Sequence, residues 1–242
     1  MKYLGKPFIQ DNQGIFYLDS KTIKTKEFHF NEIKSAYSRQ RKFYYIEGVD
    51  DYIIKDTTKL PFFFNGTRTK LILKNFMNVQ NEFNDIDFPV GYFIDNNKIE
   101  GTVVPYYKNS ISIKKLITIY SLEELKKYYY YDDNDNINLI NMCLEILDLI
   151  ERMYQKNIVY TDINAGNFLV YNNTVKIIDF EPDYVYFTKH KQKYYKLLLS
   201  NYTVLIDYIW RRYKYNDVIY NSGESFDDAR CKVKALIKEK RG

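Results

Sequence analysis

Ile158–Phe180 reads IVYTDINAGNFLVYNNTVKIIDF, and its pattern of apolar runs and polar breaks decides how the chain is organised. Ile158 and Val159 read as a short strand, and Tyr160 to Gly166 as a loop holding a polar cluster. Phe168 to Tyr171 and Val175 to Ile178 read as two further strands. The Asn172-Asn173 pair joins them, because asparagine tolerates the left-handed backbone of a tight hairpin turn. Asp162 and Asn167 sit in the loop entering this hairpin and Asp179 where its second strand ends, so the turn is expected to bring residues distant in sequence together.

Two carboxylates and an amide at this spacing suit phosphoryl transfer. One carboxylate can orient an attacking hydroxyl and accept its proton, and hard oxygen donors can hold a divalent cation against phosphate. Asp162 fits the first task; Asn167 and Asp179 fit the second, because Mg2+ takes a few protein oxygens and keeps several waters. Each residue also has a plainer role open to it, as turn former, helix cap or strand end.

D-I-N-A-G-N followed by I-I-D-F resembles the catalytic loop and metal-binding motif of the protein-kinase-like superfamily, H-R-D-x-x-x-x-N and D-F-G. The resemblance implies an α+β, two-lobed fold with a mainly β small lobe and a mainly α large lobe. It makes Asp162 the catalytic residue, Asn167 and Asp179 the metal ligands, and ATP and Mg2+ the cofactors. Tyr160 and Thr161 replace the family's His and Arg, and Glu181 replaces the glycine of D-F-G. Thr161 argues against switching by a phosphorylated activation loop. Asn164 stands where Ser/Thr protein kinases carry a lysine, and the D-I-N-A-x-N wording is similar to lipopolysaccharide sugar kinases. The minimal size and basic N-terminal helix resemble bacterial effector-type protein kinases. The acceptor hydroxyl, protein Ser/Thr or small molecule, therefore stays open.

Upstream, Asp51–Lys55, Pro61–Phe64 and Thr69–Phe76 read as strands, with Asn65-Gly66 as a hairpin signal between the last two. By resemblance, Lys74 at the end of L-I-L-K is the candidate phosphate-binding lysine, with Lys70 as runner-up and Glu82 as the partner of Lys74. Thr57 and Thr58 lie in the segment standing where a glycine-rich phosphate loop is expected, and backbone groups from Val104 to Tyr106 meet the adenine. Pro89–Phe93 and Lys98–Tyr107, separated by the Asn96-Asn97 turn, complete the strands of this region. Asp207 is a candidate anchor for the catalytic-loop backbone.

Ile113–Tyr131, Asn138–Tyr154, Lys189–Lys214 and Asp227–Lys240 read as helices, the second most clearly. There Leu139, Met142, Cys143, Ile146, Leu147, Ile150 and Tyr154 recur at three- and four-residue steps. The expected division is an N-terminal extension or cap over residues 1–44, a small nucleotide-binding lobe over 45–107 and a large helical lobe over 108–242. Within the extension, Gly14–Thr25 reads as a strand and Asn31–Lys42 as a basic helix.

A formal charge of +5 with dispersed basic residues points to no nucleic-acid partner. Two cysteines form no disulfide framework and two distant histidines no zinc site. No secretory leader or membrane-spanning run is legible, which leads to the expectation of a cytoplasmic enzyme, or of one delivered into a host cell if it is an effector. The expected function is an ATP- and Mg2+-dependent kinase acting on a hydroxyl. The alternative is a non-catalytic pseudokinase serving as a protein-binding module.

Overall fold

The computed structural model describes residues 5–28, 42–57, 66–118, 139–212 and 223–235, which form two compact units, Met1–Lys108 and Asn109–Gly242. The fold class is mixed α+β. Expectations placed on 29–41, 58–65, 119–138, 213–222 and 236–242 lie outside the described residues. They include the basic helix, the Pro61–Phe64 strand, Thr58, and most of the helix expected over Ile113–Tyr131.

The first unit is built on a seven-stranded sheet. Its strands are β1 (Ile9–Gln10), β2 (Phe16–Asp19), β3 (Thr25–Phe28), β4 (Phe43–Ile46), β5 (Val49–Asp56), β6 (Gly91–Asp95) and β7 (Lys98–Pro105). They run in the spatial order β1-β2-β6-β7-β5-β4-β3, antiparallel throughout except for the parallel β2–β6 pair. Residues 9–28, expected as an extension or cap, thus supply strands at both edges of the sheet. Hairpin β6–β7 turns at Asn96 and Asn97, both left-handed (φ 48° and 63°), as the sequence pattern predicts. At Gly91 a Cβ would run into the Phe16 carbonyl, so glycine is what lets β2 lie against β6.

One helix, α1 (Gly66–Val79), follows β5, and it corrects the sequence expectation. Thr69–Phe76 is not a strand and Gly66 does not turn a hairpin. The buried positions Thr69, Ile72, Leu73 and Phe76 stand at i, i+3, i+4 and i+7, a helical period that the local alternation in L-I-L-K disguises. Phe76 stacks on Phe88 with ring centroids 4.8 Å apart, and Leu73 packs with Ile15 and Tyr92.

Asp11 ties this core to the N-terminal turn. Its carboxylate accepts from Lys70 Nζ (2.9 Å), the Tyr92 hydroxyl (2.9 Å) and the Ile15 N–H (3.0 Å). Burial opposes its charge, but these bonds together with the Gln13 N–H outweigh burial and lower its pKa from 3.8 to about 2.

The second unit surrounds α3 (Leu139–Gln155), the long helix expected from the periodicity, whose stripe from Leu139 to Tyr154 is buried. Before it come β8 (Ile111–Ser112) and the single turn α2 (Ile113–Leu116). After it come β9 (Ile158–Tyr160), the hairpin β10 (Phe168–Tyr171) and β11 (Thr174–Ile177), β12 (Val185–Phe187), α4 (Tyr195–Arg212) and α5 (Phe226–Ala235). Left-handed Asn157 (φ 62°) ends α3 and turns the chain into β9. Arg230 binds Asp148 (2.8 Å), Glu151 (2.6 Å) and Asp227 (3.0 Å), joining α5 to α3. Among the described residues no helix is long and apolar enough to cross a membrane.

The Asp11 cluster sets a pH dependence. Its folded pKa is depressed, so its contribution is complete above about pH 4 and is lost as the pH falls toward 2. Asp11→Asn is expected to lower stability near pH 7 by about 1–3 kcal/mol. Urea midpoints of the two proteins should converge as the pH drops through that window; a gap that stays constant would contradict the charged pairing.

Candidate functional site

The hairpin β10–β11 pairs Phe168 with Ile177 and Tyr171 with Thr174 across a turn whose Asn172 and Asn173 are left-handed (φ 47° and 61°). One more bond extends this pairing: the Ile178 N–H donates to the Asn167 carbonyl at 2.9 Å. Asn167 stands immediately before the first strand and Asp179 two residues after the second, so that bond holds their backbones together.

Within the entering loop, the Asp162 carboxylate is the acceptor for two asparagine amides, Asn164 Nδ2 on Oδ1 (2.8 Å) and Asn167 Nδ2 on Oδ2 (2.7 Å). Asn167 Nδ2 also donates to the Asp162 carbonyl (3.0 Å). Asn164 Oδ1 accepts the Gly166 N–H (3.0 Å), an Asx turn that shapes the loop. The loop backbone is tied from outside as well. The Ala165 carbonyl takes the Lys114 N–H (2.9 Å), and the Thr161 carbonyl takes Asn201 Nδ2 from α4 (2.7 Å).

Asn167 carries the most direct hint of a ligand. Its two partners on Asp162, a carbonyl and a carboxylate, are acceptors only, so the group facing them must be the NH2. Oδ1 is thereby turned away, and among the described residues nothing donates to it, although Asn167 is only 8 % exposed. A buried acceptor without a donor costs about 1–3 kcal/mol, and a cation there would remove that cost. Asp179 is the second such hint. Its φ of 66° makes it, with six asparagines, one of the non-glycine residues in the left-handed region among the described residues. Strain of this kind collects at functional sites.

Tyr160 reports on the group as a whole. It is buried, donates its hydroxyl to the Ile178 carbonyl (3.1 Å) and packs its ring against Phe180 at 5.6 Å. Burial drives its pKa well above the usual phenol value, and the charges of Asp179, Asp162 and Glu181 push in the same direction, opposed by the Asn167 amide. The phenol therefore stays neutral, an uncharged wall with these groups in electrostatic reach.

The oxygen donors of Asn167 and Asp179 are of the hard kind. Among the described residues no three His, Cys, Asp or Glu side chains are grouped to hold an ion, whereas one carboxylate, one amide oxygen and water are what Mg2+ accepts.

The remaining predicted residues fall elsewhere. Lys74 lies exposed on α1, on a helix and not on the expected strand. Glu82 is exposed in the short 3-10 turn Gln80–Glu82 that follows. Lys70 is held by Asp11. Thr57 donates its N–H to the Glu100 carbonyl (2.8 Å) at the end of β5. Val104 pairs with Ile53, and the Tyr106 N–H is taken by the Asp51 carbonyl (2.8 Å), so this donor is not left for a ligand. The Tyr106 hydroxyl lies 3.1 Å from that of Tyr45; burial and this neighbour push its pKa up to about 12. Asp207 pairs with Arg211 on its own helix, and Asn201 takes the anchoring role instead.

Two buried charged residues stand out. Lys55 on β5 is 6 % exposed, and Glu181, directly after Phe180, is 7 % exposed; a buried lysine or glutamate in a domain this size is uncommon. The signal for Lys55 is present in the sequence as Tyr52-Ile53-Ile54-Lys55, a hydrophobic strand closing in lysine. Comparison with protein-family models and with curated proteins finds no match.

Asn201→Ala tests the external tie. It removes one bond to a loop carbonyl, so stability is expected to fall by about 0.5–1.5 kcal/mol. Amide exchange should accelerate over 161–167 while α3 keeps its protection. Equal loosening of both would show that α4 supports the whole unit and not the loop.

Proposed function

We propose that the chain is a small, atypical phosphotransferase of the protein-kinase-like kind, moving the γ-phosphate of ATP to a hydroxyl of a protein or a small molecule. The observation that carries this reading is the amide oxygen of the buried residue Asn167, turned away from Asp162 and left without a donor among the described residues, with left-handed Asp179 next to the Ile178 that bonds the Asn167 carbonyl. In this reading Asp162 orients the acceptor hydroxyl and receives its proton. The new O–P bond forms as the bond from γ-phosphorus to the bridging oxygen breaks, and ADP leaves with that oxygen. Mg2+, when bound, offsets charge on the phosphate oxygens. Asn167 Oδ1 and Asp179 are the residues that would hold it.

The first unit supports the reading through its topology. The run β3-β4-β5-β7-β6 is five antiparallel strands, with α1 inserted between the third and fourth in chain order. Kinases carry the phosphate-binding lysine on the third such strand, in V-A-I-K. Lys55 in Y-I-I-K stands there and replaces Lys74 as the candidate. The family's lysine pairs with a glutamate on the following helix, yet α1, GTRTKLILKNFMNV, contains no carboxylate. That departure favours the second reading, a non-catalytic module that keeps the architecture for binding.

Nucleotide binding and transfer separate the two. The wild type is expected to melt several degrees higher with ATP and Mg2+ than with ATP alone, because a ligand for the folded state stabilises it by mass action. Asn167→Ala and Asp179→Ala should lose the metal-dependent part. Asp162→Ala should keep it while ADP production falls by about 10²–10⁴-fold. Metal-dependent stabilisation without any ADP or phosphate product would select the binding module, and no stabilisation by any nucleotide would reject the phosphotransferase.

A further inference from the structure

The first unit contains a groove of about 870 Å3 between α1 and the β6–β7 hairpin, lined by none of Lys55, Asp162, Asn167 and Asp179. Its floor is apolar: Ile94 and Ile99 pack on Tyr92, and Leu71, 59 % exposed, stands on the helix side of the opening. Its rim is basic. Lys70 is neutralised by Asp11 at 2.9 Å, but Lys74 on α1 and Lys98 at the start of β7 have no carboxylate partner among the described residues. The nearest acid across the hairpin, Asp95, is turned to the Ser20 hydroxyl (2.6 Å) and Asn96 Nδ2 (3.2 Å). Among the described residues no aspartate or glutamate lines the groove.

One ammonium group on each wall of an apolar trough, neither with a carboxylate partner among the described residues, forms a specific combination. A bare phosphate would use the lysines and leave Leu71, Ile94 and Ile99 wet. An apolar ligand would use the floor and leave two charges facing it. A segment that alternates carboxylates with one large apolar side chain satisfies both, burying exposed leucine surface at about 25 cal/mol per Å2 while opposite charges fix its register. We infer that this groove is a docking site for an acidic peptide segment of a partner protein, anchored by one apolar side chain on Leu71 and flanked by carboxylates at Lys74 and Lys98. The site is confined to the first unit and does not rest on the phosphotransferase reading.

The test uses the full chain and a panel of short fluorescein-labelled peptides carrying several Asp or Glu residues around one Leu, Ile or Phe, read by fluorescence anisotropy. Members of the panel are expected to bind, more weakly as salt rises. Lys74→Glu and Lys98→Glu should each weaken binding by roughly tenfold or more, since each replaces an attraction by a like-charge contact. Leu71→Ser should weaken it too, and matched melting curves show that the variants fold. In the unmodified protein, bound peptide should slow amide exchange over 67–74 and 94–99, independently of any substitution. The inference is overturned if no peptide of the panel binds, if the Lys74→Glu, Lys98→Glu double variant binds as tightly as the wild type, or if lysine-bearing peptides bind equally well. Tripolyphosphate displacing the peptide at equal concentration would also overturn it, since the groove would then be reading charge alone.

Discussion

The hydrogen bond from the Ile178 N–H to the Asn167 carbonyl closes the β10–β11 hairpin, and the candidate site exists only because of that closure. Side chains alternate across a strand, so a one-residue slip in this pairing would send Phe168, Val170, Val175 and Ile177 out of the core and turn the flanking polar residues to the wrong face. The register is therefore fixed by apolar burial, and the polar groups inherit their positions from it. Left-handed Asn172 and Asn173 set the loop length at which this register is possible.

Local chemistry then works against stability at the same place. A left-handed aspartate and an amide oxygen without a donor among the described residues each carry a cost on the order of 1–3 kcal/mol. The surrounding packing offsets it: Tyr160 against Phe180, fully buried Phe168, and α3 beneath, whose Glu145 caps the hairpin through the Val175 N–H (2.8 Å). An ordinary turn has no need of such features, and a sequence selected only for folding would remove them.

What could be read from the sequence follows the range over which each feature is determined. The hairpin with its Asn-Asn turn, the Asn96-Asn97 turn and helix α3 are set by neighbours a few residues apart, and they stand where the pattern puts them. α1 did not, because Leu71-Ile72-Leu73-Lys74 and Tyr52-Ile53-Ile54-Lys55 are nearly the same phrase: an apolar run closed by lysine. Only the wider spacing of Thr69, Ile72, Leu73 and Phe76 separates helix from strand, and reading the Leu71–Lys74 run as a strand is what makes Lys74 the candidate lysine in the sequence. The parallel β2–β6 pairing links residues more than seventy apart and has no local signature beyond Gly91. Nothing local distinguishes Asn201 from Asp207 as an anchor: the geometry of α4 offers the Asn201 amide to the Thr161 carbonyl and leaves the aspartate to Arg211.

Thr161 in place of the family's arginine has a structural counterpart in the segment after Phe180. The Thr161 N–H and hydroxyl both donate to the Tyr184 carbonyl (2.9 and 3.2 Å), and β12 then pairs with β9, Val185 opposite Tyr160 and Phe187 opposite Ile158. Inside this return, the Tyr184 N–H closes a turn on the Glu181 carbonyl (3.0 Å) and Pro182 is buried. In kinases switched by phosphorylation, an arginine next to the catalytic aspartate waits for a phosphate to order the corresponding segment. Here uncharged bonds between backbone and threonine already order it. Under the proposed reading, a phosphate added to this segment would meet an arrangement already closed by strand pairing.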